Sequence, residues 1–361
     1  MSGESVTEAE AAWVVNGCGD RCEDYEIHEH FARASAFRWC WPKVDTGLRA
    51  AQRITKVALN RYPGPRIDDL RAALASQAGL PAGCALMLGN GSDELISLLA
   101  MACDVPGASI LAPLPGFVMY AMSAQLQGLA FHGVPLTADF ELDESAMLAA
   151  IAQHKPSIVY LAYPNNPTGN LWNDETIEKI VLAQGAQGGL VVMDEAYQPF
   201  ASKSYMDRIT RHTHVLLMRT LSKFGLAGVR LGYMVGPKAL VAEIDKVRPP
   251  YNISVLNYEC ALFALEHAEV FAAQAQDLRE QRTRMLKELA ALPGVQPFPS
   301  EANMILARVP DAAKTFDGLK AHKVLVKNVS KMHPLLANCL RLTVGTAAEN
   351  DQLLAALKAS L

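Results

Sequence analysis

Four stretches of the chain gather residues able to hold a charge, offer an amine or bind an anion, and each lies against an apolar run. Tyr163-Pro164-Asn165-Asn166-Pro167-Thr168-Gly169 follows the run 159–162, and Asp194-Glu195-Ala196-Tyr197 follows 191–193. Arg219-Thr220-Leu221-Ser222-Lys223 follows 215–218 and is trailed by Gly225, Gly228 and Arg230. Upstream, Gly89-Asn90-Gly91-Ser92-Asp93-Glu94 opens an apolar helical pattern. Singly, each has an ordinary reading: a turn, a helix cap, a solvated lysine, a tight glycine link.

Together they supply the parts of one chemistry. A lysine amine condenses with an aldehyde. A carboxylate keeps a pyridine nitrogen protonated, so that the ring draws electrons from a bond beside it. An Asn and a Tyr donate hydrogen bonds to a phenolic oxygen. A helix start with hydroxyls and an Arg holds a phosphate. Those are the needs of pyridoxal 5′-phosphate.

The elements that must position these residues alternate between strand and helix. Short apolar runs at 109–112, 158–162, 190–193, 215–218 and 231–235 read as buried strands, and amphipathic segments such as 174–182 separate several of them. Such alternation implies an α/β unit with a mainly parallel sheet covered by helices on both faces. Ligands of such sheets sit beyond the carboxyl ends of the strands, where the polar stretches fall. Before them, 46–59 and 67–78 read as helices separated by the turn signal Arg61-Tyr62-Pro63-Gly64-Pro65. After Pro249-Pro250 the texture changes to one long helix over 255–292, strands near 303–309, 324–327 and 340–344, a helix near 312–322 and a last helix. The expected division is an atypical arm over 1–45, a large domain over 46–250 and a smaller α+β domain over 251–361.

The whole chain narrows the possibilities. At 361 residues it exceeds the size of a single growing core. A net charge of −4 argues against a nucleic-acid or anionic-membrane partner. The longest apolar stretch, 95–103, is too short to span a bilayer. The acidic start carries no secretory pattern, and seven scattered cysteines form no disulfide framework, so the cytoplasm is the expected compartment.

The stretches RYPGP (61–65), LGNGSDELISLL (88–99), YPNNPTGN (163–170), VVMDEAY (191–197), RTLSKFGLAGVRLGY (219–233), KVRPPYN (246–252) and NCLRLTVGT (338–346) resemble the fold-type I aminotransferases, and within them the histidinol-phosphate branch. The resemblance runs from about residue 46 to the end. It implies a seven-stranded, mainly parallel sheet, pyridoxal 5′-phosphate as cofactor, and a homodimer with shared active sites. Residue by residue, it implies that Lys223 joins the cofactor and carries the proton, and that Asp194 pairs with the pyridine nitrogen. Asn166 and Tyr197 bind the phenolic oxygen. Ser92, Asp93, Ser222 and Arg230 cradle the phosphate, and Phe117 stacks on the ring. Tyr62 reaches the phosphate of the neighbouring subunit. Arg341 grips the substrate anion, with Lys327 where the family commonly has Arg. The implied reaction passes an amino group between L-histidinol phosphate and 2-oxoglutarate. Alternatives in the same fold are an aromatic or phosphorylated amino-acid substrate, and a cofactor-binding protein with impaired catalysis.

One region departs from that pattern. Where the family has an Asn-Glu-Asn-Pro-Tyr type motif near 35–45, this chain reads Ala36-Phe37-Arg38-Trp39-Cys40-Trp41-Pro42-Lys43-Val44. Either the arm has diverged or the local sequence is not the ancestral reading frame. The same arm holds Cys18, Cys22, His28 and His30, chemically able to bind zinc but spaced unlike zinc fingers, and no metal is expected. His333, in the loop 331–334, is a candidate contact at the edge of the substrate.

Overall fold

The computed structural model describes residues 44–64 and 66–361, with side chains from Arg49 onward. The readings on the arm, including the missing motif and the Cys/His set, lie outside the described residues.

Seven strands form the larger sheet: β1 (Cys84–Gly89), β2 (Ser109–Leu114), β3 (Ala130–Pro135), β4 (Ile158–Ala162), β5 (Leu190–Asp194), β6 (Val215–Thr220) and β7 (Gly232–Pro237). Their order is β1-β7-β6-β5-β4-β2-β3. β3, β2, β4, β5 and β6 pair in parallel, whereas β7 runs against both β6 and β1. The sheet is therefore mainly parallel, and the runs expected to be strands all lie in it. Both edge strands, β1 and β3, lack a counterpart among those runs. β3 (AFHGVP), covered on fewer sides, has no continuous apolar run, whereas β1 (CALMLG) does carry one, leading straight into the glycine loop.

Successive side chains of the inner strands point to opposite faces. Leu111, Val159, Leu161, Val191, Met193, Val215, Leu217 and Val235 face one core, under the helices Arg66–Ala78, Glu144–His154, Asp174–Ala186 and Val255–Leu265. Ile110, Ile158, Tyr160, Val192, Leu216, Met218 and Met234 face the other, under Ser92–Ala102, Met119–Gln127 and Lys238–Asp245. Being apolar on both faces is what made these strands visible in the sequence.

A second, antiparallel sheet contains β8 (Gln296–Pro297), β9 (Met304–Arg308), β10 (Lys327–Asn328) and β11 (Cys339–Thr343), in the order β10-β11-β9-β8. One face of it packs in a core of its own with residues of the helices Ala268–Ala290, Ala312–Ala321 and Ala347–Ser360, while Leu306 of β9 and Cys339 of β11 join the larger sheet's core.

Three elements differ from expectation. The single helix over 255–292 is two, Val255–Leu265 and Ala268–Ala290, with His267 leaving helical geometry between them. No Gly or Pro marks the break. The burial partner changes only farther on: Ala261, Leu262, Ala264 and, past the break, Phe271 pack into the larger sheet's core, whereas Met285 and Leu289 pack into the smaller one. The first helix ends at Ile54 rather than near residue 59, and the strand over 324–327 is reduced to β10.

The helices flanking the loop around Tyr62 are tied to Val255–Leu265 by one buried carboxylate. Glu259 accepts from Arg53 Nε at 2.8 Å and from Arg66 Nη1 at 2.7 Å. Loss of both charge-assisted bonds in Glu259→Ala is expected to cost about 2 kcal/mol of unfolding free energy. A denaturant titration giving about 0.5 kcal/mol or less would instead match an exposed pair.

Candidate active site

Because β4, β5 and β6 are parallel neighbours, their carboxyl ends lie along one edge of the sheet. β7 starts at that edge, with Gly232 opposite Thr220 of β6 and Gly89 of β1. Four stretches far apart in the chain are thus delivered to one place.

At the far end of this edge, Gly91 precedes the helix Ser92–Ala102 and offers no side-chain cap, so the first-turn N–H groups are not claimed by a capping side chain. Gly91 has φ +82, a conformation that favours glycine. A Cβ there would lie 2.8 Å from Arg230 Nη2, and one on Gly232 would lie 2.7 Å from the Gly91 carbonyl carbon and 2.8 Å from Ser92 N. Both glycines therefore admit a close approach of strand, guanidinium and helix start. Arg230, itself at φ +50, donates to Asp93 Oδ2 at 3.3 Å. A helix dipole and a guanidinium meet over backbone donors, which suits an anion. Ser222 stands beside this cradle after β6, its N–H donating to Thr220 Oγ1 (3.1 Å) and its Oγ accepting from Thr220 (3.0 Å). The loop itself is braced by Glu94, which accepts from the Asn90 N–H at 2.6 Å and from Asn252 Nδ2 at 2.7 Å.

Asp194 ends β5 and is buried. Its Oδ1 accepts from the Ala196 N–H at 3.0 Å, and its Oδ2 accepts from the Tyr120 hydroxyl at 2.6 Å. Burial pushes its carboxyl up to about 6, and Asp93 and Glu195 add to the rise. Glu195 is also raised by burial, although it is paired with Arg219 (2.8 Å) and accepts from Ser204 and the Tyr205 N–H. Glu195 thereby ties the chain after β5 to the end of β6.

Of the Asn pair after β4, Asn165 is scaffolding. Its Nδ2 donates to Pro115 O (3.1 Å) and to Thr168 Oγ1 (2.8 Å), linking the turn to the Pro115-Gly116-Phe117 loop. Asn166 instead accepts at Oδ1 from Arg341 Nη1 at 2.8 Å. This hydrogen bond crosses between the two sheets' units, and Lys327 is the register partner of Arg341 on β10. Lys223 Nζ lies 5.6 Å from the centre of the buried Tyr197 ring. Phe117 meets the Tyr120 ring edge-on at 5.6 Å. Tyr62 stacks on Tyr251 at 4.7 Å and is otherwise exposed at 78%. His333 caps the 3-10 turn Pro334–Leu336, and burial lowers its pKa. Tyr120 was absent from the sequence reading. Its one available signal was its place three residues after Phe117.

The Asp194 environment has a measurable consequence for the protein without ligand. A carboxyl near 3.8 when exposed and about 6 when folded keeps its proton longer in the folded state. Its burial cost therefore grows as pH rises from about 4 to about 6, then stays constant. Asp194→Asn is expected to be more stable than the parent at neutral pH, by about 2–3 kcal/mol, with the gap closing towards pH 4. Denaturant titrations across that range test it; a gap that does not vary with pH would contradict the assignment.

A family model for aminotransferase class I and II matches residues 42–357. The chain is 74% identical over 321 residues to the histidinol-phosphate aminotransferase of Polaromonas naphthalenivorans (strain CJ2), covering 88% of each. It is 72% identical over 310 residues to that of Methylibium petroleiphilum, covering 86% of this chain and 84% of the relative. Among solved structures, histidinol-phosphate aminotransferase from Sinorhizobium meliloti in complex with pyridoxal-5′-phosphate superposes with a TM-score of 0.79 at 25% identity, over 99% of this chain and 98% of that one. The likeness to the Clostridium acetobutylicum enzyme, TM-score 0.79 at 22% identity over 87% and 94% of the two chains, bears on the fold alone. The family depends on pyridoxal phosphate. With its matched region covering the strand ends described above, the chain belongs to the class I and II aminotransferases.

Proposed function

We propose that the protein is a cytoplasmic homodimer that moves an amino group between L-histidinol phosphate and 2-oxoglutarate, giving imidazole-acetol phosphate and L-glutamate, in histidine biosynthesis. One observation carries the reading. A single sheet edge gathers a buried carboxylate, a lysine and an arginine-covered helix start, in a chain 74% identical to a relative named for that reaction.

The residues fit pyridoxal phosphate. The helix start is open to an anion because Gly91 and Gly232 carry no Cβ, and among the described residues the buried Asp194 carboxylate accepts from the Tyr120 hydroxyl and the Ala196 N–H and is bonded to no cation. Bound there, the cofactor supplies an aldehyde that takes up the amine and a ring that withdraws electrons. The backbone N–H groups of Ser92 and Asp93, with Ser222 and Arg230, would hold its phosphate. Asp194 would hold a proton on its ring nitrogen, and Phe117 would cover the ring face. Tyr62 would reach across to the phosphate in the partner subunit.

Lys223 Nζ is the group that would take a proton from the substrate carbon and return it. Tyr197 would donate to the phenolic oxygen. So would Asn166, for a reason its other bond supplies: with Oδ1 engaged by Arg341, the amide presents Nδ2, its donor end, to the remaining side. Arg341 and Lys327 together form the anion site. The phosphate of histidinol phosphate and a carboxylate of glutamate must use it in turn. Arg supplies a planar fork and Lys a mobile point charge, so the pair accepts both shapes.

Purified protein given histidinol phosphate and 2-oxoglutarate is expected to form glutamate. Inactivity on that pair with turnover of phenylalanine would replace the proposed substrate. Arg341→Ala is expected to raise KM for both partners by about a hundredfold. A rise for only one of them would show that the two anions do not share a site.

A further inference from the structure

Tyr120 carries a hydroxyl that the transfer of an amino group, as derived above, does not use. It is buried on the helix Met119–Gln127, and among the described residues its hydrogen-bond partner is Asp194 Oδ2 at 2.6 Å. The ring cannot swing away: it stacks on Tyr160 at 4.3 Å with 7° between planes and meets Phe117 edge-on. Tyr160 provides the contrast, since its own hydroxyl is buried and, among the described residues, has no hydrogen-bond partner. Of two stacked tyrosines, only the one reaching Asp194 has a bonded hydroxyl. Burial and the Asp194 charge hold the Tyr120 proton on its oxygen, so Tyr120 acts as a donor alone.

We infer that Tyr120 is a positioning residue for the cofactor's ring nitrogen: its hydroxyl keeps Asp194 ionised and fixes the direction in which the carboxylate's remaining lone pairs point. The inference rests on the reading of Asp194 as partner of that nitrogen. A carboxylate with one oxygen on Tyr120 and the other on the Ala196 N–H cannot rotate without breaking a bond. The charges facing it offer no substitute. Asp93, from the helix Ser92–Ala102, and Glu195, next in the chain, are both negative and disfavour its ionisation. Arg219 is committed to Glu195, and Lys223 lies over the Tyr197 ring. Tyr160 and Tyr197 are the remaining titratable groups around the pair.

Tyr120→Phe keeps the ring and removes the bond. In the protein without cofactor, thermal midpoints of variant and parent should nearly coincide near pH 4, where Asp194 is protonated. The variant should fall behind as pH rises through about 6, because loss of a hydrogen bond to the charged form raises the Asp194 pKa further. At pH 7.5 its dissociation constant for pyridoxal 5′-phosphate should be about tenfold to a hundredfold weaker. A midpoint difference that stays constant with pH would make Tyr120 a packing residue and overturn the inference. A pH-dependent difference with unchanged cofactor affinity would overturn its role at the ring nitrogen. If Asp194→Asn also binds the cofactor as the parent does, the reading of Asp194 itself is what fails.

Discussion

A carboxylate taken out of water at the end of the central strand is the constraint around which the rest of the structure is arranged. β5 is the fourth of seven strands, so its last residue, Asp194, is enclosed on both sides by neighbours and on both faces by helices. Removing that charge from water is costly, and two hydrogen bonds compensate only in part, as its upward shift to about 6 records. The nearby Asp93 and Glu195 add to the cost. A site with this surplus of negative potential in a dry place is complementary to a cation brought by a ligand, and a protonated pyridine ring is such a cation.

The parallel pairing of β4, β5 and β6 determines what surrounds that carboxylate. Parallel strands present all their carboxyl ends on one edge, so the turn with Asn166, the Asp194 corner and the Lys223 segment arrive together. The reversal at β7 then adds a second feature. Its first residue, Gly232, lies against the start of the helix Ser92–Ala102 and brings Arg230 over it. Negative potential at Asp194 and positive potential at the helix start stand at separate points of the same edge. That separation of charge is what a zwitterionic ring bearing a phosphate requires.

The smaller unit enters this arrangement through shared apolar packing and through a hydrogen bond to the turn after β4. Leu306 and Cys339 of its sheet pack into the larger unit's core, Ala302 and Met304 pack with Tyr197 and Phe200, and Arg341 reaches out to Asn166. A link of this kind fixes the direction of the Asn166 amide and at the same time leaves a guanidinium at the mouth of the site.

Much of this was legible in the sequence, because the relevant signals are local. Strands buried on both faces are continuous apolar runs, and the polar stretches following them are identifiable by position, within which the family resemblance singled out Asn166, Asp194, Tyr197 and Lys223. The glycines of the loop 89–91 announce a close approach whatever the topology. Other features had no local signature. The edge strand β3 is too lightly covered to need a distinctive pattern, and no breaker residue marks the break at His267. Tyr120 meets Asp194 across 74 positions and Arg341 meets Asn166 across 175, distances over which only strand order and the docking of the two units decide contact. The chain's own sequence therefore determined which chemical groups stand at strand ends, since burial of each strand is written into its neighbours one and two residues away. Which of those groups touch, and hence which hydrogen bonds orient them, was decided by the tertiary fold, since the free energy that sets strand order is spread over two whole cores and resides in no short segment.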